Sequence, residues 1–241
     1  MYGNEKNEFE GFGTLGEFKI DMDEIKRKSA SRLAVCLCLD ISASMAGVAI
    51  NALNEGIKNM LLTLSTLDST KYAVDFAVVT FSGEAKVEVE FDSVENIFIP
   101  EFTASGGTAM GAGVNLAIDI LEDRVQFYKD SGYSYKQPWN IIMGDGYSGD
   151  DTKSAVQRSM EKVQNKKLTV FPFGIGDDYD ADLMKSFSNK KFMIDIKDSN
   201  SIKEAFEFLS ASAAKASTSM PGESIDLISE LENKKGLKIE I

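Results

Sequence analysis

Apolar residues occur along this chain in two recurring patterns. Residues 32–40, "RLAVCLCLD", are almost continuously apolar and end in a charged residue, a pattern typical of a buried parallel strand. Residues 46–67 instead carry apolar side chains at the three- and four-residue spacing of a helix. The same criteria predict further elements up to residue 217. The strands are expected at 71–83, 84–94, 138–146, 168–176 and 190–196, and the helices at 110–129, 150–167, 179–188 and 199–217.

Strands that alternate with helices indicate a doubly wound α/β fold, in which helices cover both faces of one sheet. We expect three layers and a mainly parallel sheet. Residues 84–94 differ, because polar and apolar side chains alternate there and the strand should be half exposed. This strand follows the one at 71–83 after a short turn. We therefore expect a hairpin in which residues 84–91 form one antiparallel edge strand.

The alternation spans one domain, which we place at residues 31–218. An N-terminal extension at 1–30 and a C-terminal tail at 219–241 flank it. Each end contains a strand-like segment, "GEFKIDM" at 16–22 and "GLKIEI" at 236–241. These two segments either pair with each other or remain unpaired tails.

The chain is strongly acidic, with 38 acidic and 26 basic residues and a net charge of −12. Nucleic acid is therefore not expected as a partner, because contacts to phosphate need clustered lysine and arginine. The sequence contains no apolar stretch of about 18 residues, so we expect no membrane span. The polar, acidic start of the chain does not resemble a signal peptide, and we expect a cytoplasmic protein.

The residue types that are missing narrow the possible chemistry. The chain has no histidine, which excludes Ser-His-Asp and Cys-His catalysis and the usual zinc sites. Cys36 and Cys38 lie in the first strand at a spacing that does not suit a disulfide, so we expect reduced thiols in the core. Carboxylates and hydroxyls remain, and these oxygen donors favour hard cations.

Oxygen-bearing side chains converge on the edge of the sheet where its parallel strands end. Residues 40–44, "DISAS", close the first strand, "SGGT" precedes the helix at 110–129, and "MGDG" closes the strand at 138–146. Ligands of an open parallel sheet bind at this edge. The candidate ligands are Asp40, Ser42, Ser44, Thr108 and Asp145.

Each candidate also has an ordinary structural explanation. Ser42 or Ser44 could cap the helix that follows them. Thr108 could cap the helix at 110–129, and Asp145 could begin a turn. Five oxygen donors on three neighbouring loops nevertheless match one divalent cation, namely Mg²⁺, or else Mn²⁺ or Ca²⁺. Because these donors leave one coordination position open, we expect the acidic side chain of a partner protein to fill it.

These motifs resemble the metal-ion-dependent adhesion site (MIDAS) of von Willebrand factor A (vWA) domains in residue type, order and spacing. The resemblance covers roughly residues 32–217. Within that family, four segments resemble the bacterial TerY-type proteins of tellurium-resistance and stress operons: "FTASGGTAMGAGVNLAID", "MGDGYSGDD", "FPFGIGDD" and "EAFEFLSASAAKASTS". The resemblance implies that the hydroxyls of Ser42, Ser44 and Thr108 contact the ion, while the two aspartates often act through water.

The same resemblance implies a function. It implies a non-enzymatic, metal-dependent protein-binding module that serves as an interaction or regulatory component of a bacterial stress-response or defence system. Operons of this type frequently encode protein kinases and phosphatases, which are implied as partners. The chain departs from the family at Gly144, where many relatives have threonine, and at 147–151, where "YSGDD" replaces the more usual "EPTDD".

Other interpretations fit the same residues less well. A phosphotransfer enzyme would use Asp40 as the phospho-acceptor, but that chemistry usually needs a second acid two residues later, where this chain has Ser42. Nucleotide binding by the glycine-rich stretch at 105–113 lacks the P-loop lysine. A vWA fold with an empty site would have no need of all five donors. Near the site, Met45, Ser105, Met110 and Tyr147 suit either an interaction surface or ordinary loop packing.

Overall fold

A computed structural model describes residues 22–145, 147–177, 179–188, 192–219 and 237–240. The strands in these ranges are β1 Leu33–Asp40, β2 Val74–Phe81, β3 Ala85–Ser93, β4 Trp139–Gly144, β5 Thr169–Ile175, β6 Met193–Ile196 and β7 Lys238–Glu240. The α-helices are α1 Met22–Ser29, α2 Val48–Thr66, α3 Asp68–Lys71, α4 Met110–Asp130, α5 Lys153–Gln164, α6 Ala181–Ser186 and α7 Ser199–Thr218, and a 3-10 turn covers Ala43–Met45. Within the described part of the chain, no helix has the length and apolar character needed to cross a membrane.

The strands form one sheet in the order β3-β2-β1-β4-β5-β6-β7. Neighbours from β2 to β6 are parallel, whereas β3 and β7 run antiparallel to β2 and β6 at the two edges. The predicted three-layer, doubly wound fold is therefore confirmed, as is the antiparallel edge strand that follows β2. The second antiparallel edge strand, β7, is an addition to that prediction.

The strand-like segment at 236–241 supplies β7. Ile239 pairs with Ile194, so this segment extends the sheet beyond β6. This pairing with β6 was not predicted, and the alternative of an unpaired C-terminal tail is wrong for residues 238–240. The partner that was predicted, the segment at 16–22, lies outside the described residues except for Met22, the first residue of α1. The domain limits of 31 and 218 stay a prediction.

The central strands are long apolar runs because helices cover both of their faces. Every residue of β1 and β2 is buried. One face of the sheet packs against α2 and α7, and the other packs against α4, α5 and α6. Cys36 and Cys38 both lie on the α4 face as free, buried thiols, as predicted.

The strand predicted from residue 71 begins only at Val74, because residues 68–71 form the short helix α3. Thr70 holds this helix in place. Its hydroxyl donates to the carbonyls of Leu64 at 2.5 Å and Leu67 at 3.1 Å. A four-residue polar helix has no apolar periodicity, so the sequence pattern does not show it.

A buried ion network fixes the amino end of the sheet. Asp75, near the start of β2, is fully buried. Its Oδ2 accepts from the hydroxyl of Tyr128 at 2.6 Å and from Nη2 and Nε of Arg124 at 2.7 and 3.1 Å. Its Oδ1 lies 3.4 Å from Nη1 of Arg32, which also donates to the carbonyl of Tyr72 at 2.7 Å. One carboxylate thus ties the end of α4 to the first residues of β1 and β2.

We expect Asp75→Asn to lower the free energy of unfolding by about 3 kcal/mol or more, because it leaves two guanidinium groups without their buried counter-charge. The matched control is Asp119→Asn. Asp119 also pairs with an arginine, Arg158, but its side chain is 56% exposed, and an exposed pair contributes at most about 1 kcal/mol. Urea denaturation of both variants measures the difference, and equal losses would contradict this assignment.

Candidate metal site

The candidate ligands lie at the carboxyl edge of the sheet, where its central strands end. β1 and β4 are parallel neighbours, and their register places Leu39 opposite Met143. Asp40 and Asp145 therefore leave adjacent strands at nearly the same height. Thr108 arrives separately, on the loop that connects β3 to α4.

Asp40 is a fully buried carboxylate that is only half satisfied. Its Oδ1 accepts the backbone N–H of Ser42 at 2.8 Å, while its Oδ2 is buried and has no hydrogen-bond partner among the described residues. Burial raises the pKa of Asp40 to about 6, against the lowering effect of the hydrogen bonds from Ser42, and the negative charge of Asp145 raises it further. A cation at this position would relieve both the desolvation and the repulsion.

The two serines connect the first and third loops through their hydroxyls. The Oγ atoms of Ser42 and Ser44 lie 2.9 Å apart. The hydroxyl of Ser44 in turn donates to Oδ2 of Asp145. The structure therefore brings Ser42, Ser44 and Asp145 into direct side-chain contact, and the backbone of Ser42 joins Asp40 to the same group.

Ser42, Ser44 and Thr108 are not the N-cap residues of α2 or α4. The N-cap residue of α2 is Gly47 and that of α4 is Ala109, and neither helix has a side-chain capping bond from its own N-cap residue. Ser42 precedes the 3-10 turn without capping it through its side chain. The turn explanation holds in part for Asp145, because its Oδ1 accepts the N–H of Tyr147 at 3.3 Å.

Backbone hydrogen bonds bring the loop of Thr108 to the other two loops. The N–H of Ser105 donates to the carbonyl of Ile41 at 2.8 Å, and the N–H of Ala43 donates to the carbonyl of Gly106 at 3.1 Å. The carbonyl of Thr108 itself accepts the N–H of Gly149 at 2.7 Å. Thr108 is thus joined to the site through main-chain bonds, and its hydroxyl makes no hydrogen bond to the described residues.

Asp150 supports the site in a way that the sequence analysis missed. Its carboxylate accepts the N–H groups of Gly111 at 2.9 Å and Ala112 at 2.8 Å, so it caps α4 from a distant loop. Partial burial acts to raise the pKa of Asp150, but the hydrogen bonds from Ser148, Gly111 and Ala112 lower it overall. This cap joins residues 38 and 39 positions apart, and no local sequence signal marks such a pair.

Gly144 provides the space that the carboxylate of Asp40 occupies. A Cβ added to Gly144 would lie 2.7 Å from the Cβ of Asp40 and 2.9 Å from its Oδ2. Real side chains do not approach so closely, so any larger residue here would displace Asp40. The threonine that the resemblance implies at this position would therefore displace a candidate ligand.

The residues around the site divide into exposed and buried ones. Tyr147 is 50% exposed and Ser105 is also exposed, as an interaction surface would require. Met45 and Met110 are buried and pack in the two cores instead. For these two methionines the loop-packing interpretation is correct and the surface interpretation is wrong.

The donor chemistry of this edge fits a hard divalent cation. Within the described ranges, no group of three or more carboxylate, thiolate or imidazole side chains could hold a metal. Other oxygen donors would therefore have to complete the coordination. The hydroxyls of Ser42 and Ser44 lie beside Asp145, and Thr108 is on the adjoining loop. Oxygen-only donor sets of this kind suit Mg²⁺, Mn²⁺ or Ca²⁺.

Comparison with known proteins gives one family. A sequence model of the von Willebrand factor type A domain matches residues 34–208. Among curated proteins, inter-alpha-trypsin inhibitor heavy chain H2 of Mesocricetus auratus is 24% identical over 165 residues, which make up 65% of this chain and 17% of that protein. The chain thus spans about a sixth of the length of this curated relative.

Solved structures share the fold. A von Willebrand factor type A protein from Catenulispora acidiphila aligns with a TM-score of 0.58 and 22% identity, over 77% of this chain and 43% of that one. Proximal thread matrix protein 1 of the mussel byssus, described with a zinc-occupied MIDAS motif, aligns with a TM-score of 0.56 and 15% identity, over 78% of this chain and 47% of that one.

In EDTA, the titration of Asp40 should make the free energy of unfolding of the wild type depend on pH, and we expect Asp40→Asn to remove this dependence. Because burial raises the pKa of Asp40 to about 6, the folded protein holds this proton more tightly than the unfolded chain does. The group therefore makes stability fall as the pH rises from about 4 to about 6. Above that window the variant should equal or exceed the wild type, by at most about 3 kcal/mol at about 1.4 kcal/mol per pKa unit.

Urea denaturation between pH 4 and 7.5 measures this effect. Asp150→Asn is the control, since the pKa of Asp150 is lowered and its substitution should cost stability at neutral pH. An Asp40→Asn variant clearly less stable than the wild type at pH 7.5 would show that the buried carboxylate is not a source of instability.

Proposed function

We propose that this chain, which belongs to the von Willebrand factor type A domain family, is a metal-ion-dependent protein-binding module and not an enzyme. The ion is held by Asp40, Ser42, Ser44, Thr108 and Asp145. The observation that carries this proposal is the buried carboxylate of Asp40. Within the described part of the chain, one of its oxygens has no hydrogen-bond partner, and it lies beside a chain of hydroxyls that ends on Asp145.

Each residue has a distinct part in this proposal. Asp40 and Asp145 supply the negative charge, and Ser42, Ser44 and Thr108 supply neutral oxygens. A bound divalent ion supplies a positively charged position at the surface that a carboxylate can occupy. The half-exposed side chain of Tyr147 and the exposed Ser105 border this position and would contact whatever approaches it.

The proposed ion is Mg²⁺, with Mn²⁺ or Ca²⁺ as alternatives. The absence of histidine from the whole chain and the burial of both cysteines support oxygen coordination. Because the mussel protein is described with zinc in its MIDAS motif, an experiment that compares metal ions should include Zn²⁺.

The proposed partner is a protein that contributes one acidic side chain to the ion. The TerY-type segments of the sequence support a place in a bacterial stress-response or defence system, with an operon-encoded kinase or phosphatase as the partner and a cytoplasmic location. The domain responsible is the one at residues 31–218. The alternative, phosphotransfer through Asp40, is disfavoured because that chemistry usually needs a second acid two residues later, where this chain has Ser42.

We expect 10 mM Mg²⁺ to stabilise the wild type by about 1.4 kcal/mol if the dissociation constant is about 1 mM, as for weak oxygen sites. Asp145→Ala and Thr108→Ala should abolish this gain, because each removes a ligand. Thermal unfolding with EDTA, Mg²⁺, Mn²⁺, Ca²⁺ or Zn²⁺ measures it. Asp130→Ala, at the far end of α4, should keep the full gain, and an equal gain in Asp145→Ala would refute the assigned ligands.

We expect partner binding to require both the ion and its ligands. The immobilised full chain should retain a partner from the lysate of a native host in Mg²⁺ and release it in EDTA. The Asp145→Ala variant should retain none of it, whereas Asp130→Ala should behave as the wild type. A partner that stays bound in EDTA and also binds Asp145→Ala would show that the ion is not the point of contact.

A further inference from the structure

We propose a second binding surface on this domain, for an acidic, helix-forming peptide segment of a partner protein. It is the groove between the C-terminal half of α4 and the turn that joins α5 to β5, with a volume of about 470 Å³. We call it the α4–α5 groove. It differs from the proposed metal site in position, charge and chemistry.

The groove has the shape of a polypeptide site. Its lining residues on α4 lie between Ile118 and Lys129 at helical spacing, so they share one face of that helix. At a rise of about 1.5 Å per residue, this face is about 16 Å long, or three helical turns. Leu121 and Leu168 close its floor and Val125 lies along it. Amphipathic helices dock in grooves of this kind.

The opening of the groove follows from how α4 and α5 are held together. Arg158 of α5 donates to the side chains of Asn115 at 3.0 Å and Asp119 at 2.6 Å. These contacts pin the first half of α4 to α5, and Glu122 extends them by accepting from Arg158 at 3.2 Å and from Lys162. Beyond Glu122, no side chain of the described residues fills the space between α4 and the α5–β5 turn, and the groove begins there.

The rim of the groove carries a net positive charge, because its lining includes four lysines and two carboxylates, those of Glu122 and Asp123. Lys129, Lys166 and Lys167 line it, and none of the three makes an ion pair within the described ranges. A fourth lysine, Lys162, is paired with Glu122. Three unpaired lysines at one groove are notable in a chain of net charge −12, and they are complementary to an acidic segment.

The backbone conformation at Lys166 supports a role for its side chain in binding. The N–H of Lys167 donates to the carbonyl of Lys162 at 2.8 Å and that of Lys166 to Val163 at 3.0 Å, which is a Schellman motif. Lys166 occupies its left-handed position, with φ of 55°, where glycine is favoured and a side chain is strained. Lys162 already provides a positive charge in the last turn of α5, so the helix dipole does not require Lys166.

The groove lies at the amino ends of β4 and β5, next to Pro138 and Leu168. The candidate metal ligands lie at the carboxyl ends of the strands. Binding at the groove should therefore be independent of metal, and both surfaces could be occupied together.

The test uses the full chain in EDTA and a fluorescein-labelled 14-residue peptide, with leucine at positions 3, 6, 7 and 10 and mostly glutamate elsewhere. Fluorescence polarisation should show saturable binding. Lys167→Glu should weaken it at least about fivefold, the effect of losing one favourable charge contact. Lys58→Glu is the matched control, because Lys58 lies exposed on α2, on the other face of the sheet. This control should change binding by less than about twofold.

A second variant separates binding from stability. Lys166→Gly should weaken peptide binding and at the same time raise the thermal midpoint, because it relieves the left-handed backbone. The proposal is overturned if the peptide shows no saturable binding up to about 1 mM, or if Lys58→Glu weakens binding as much as Lys167→Glu. It is also overturned if a peptide with serine in place of leucine binds equally well, since the site would then be a general attraction for anions. Because EDTA is present throughout, none of these outcomes depends on the metal site.

Discussion

The burial of the Asp40 carboxylate is the constraint on which the candidate site depends. This side chain ends β1, one of the inner strands of the sheet, and is buried. One of its oxygens is held by the backbone of Ser42, and the other has no partner among the described residues. Gly144 leaves the space it needs. Such an arrangement is unfavourable without a counter-charge. The surrounding loops keep this destabilising group in place, as the proposed cation site requires.

The pattern of the sequence was sufficient for the fold because β1 and β2 are buried on both faces, which produces uninterrupted apolar runs. The parallel pairing of β1 with β4 then made the convergence of Asp40 and Asp145 predictable. Features that depend on contacts between distant residues could not be predicted. Asp75 meets Arg124 and Tyr128 across 49 and 53 residues, and Asp150 caps a helix through residues 38 and 39 positions earlier. Local pattern gives no sign of such pairs.

The two edges of the sheet are held together by different forces. The amino edge is closed by ion pairs and a phenol around Asp75, whose partners are largely excluded from water. At the carboxyl edge, main-chain hydrogen bonds from Ala43, Ser105 and Gly149 join loops that carry the polar side chains. Backbone bonds leave side-chain oxygens free for other interactions. The amino edge thus stabilises the fold, while the carboxyl edge leaves polar side chains free to bind a ligand, as in open parallel sheets generally.

Cys36 and Cys38 lie in the middle of β1, fully buried beneath α4, and burial raises the pKa of both thiols. Neither sulfur can react with a reagent in water while α4 stays packed on β1. The rate at which the native chain consumes a thiol reagent therefore reports how often this packing opens. The two thiols are thus a probe of opening in the core that needs no added label and lies within a few residues of Asp40.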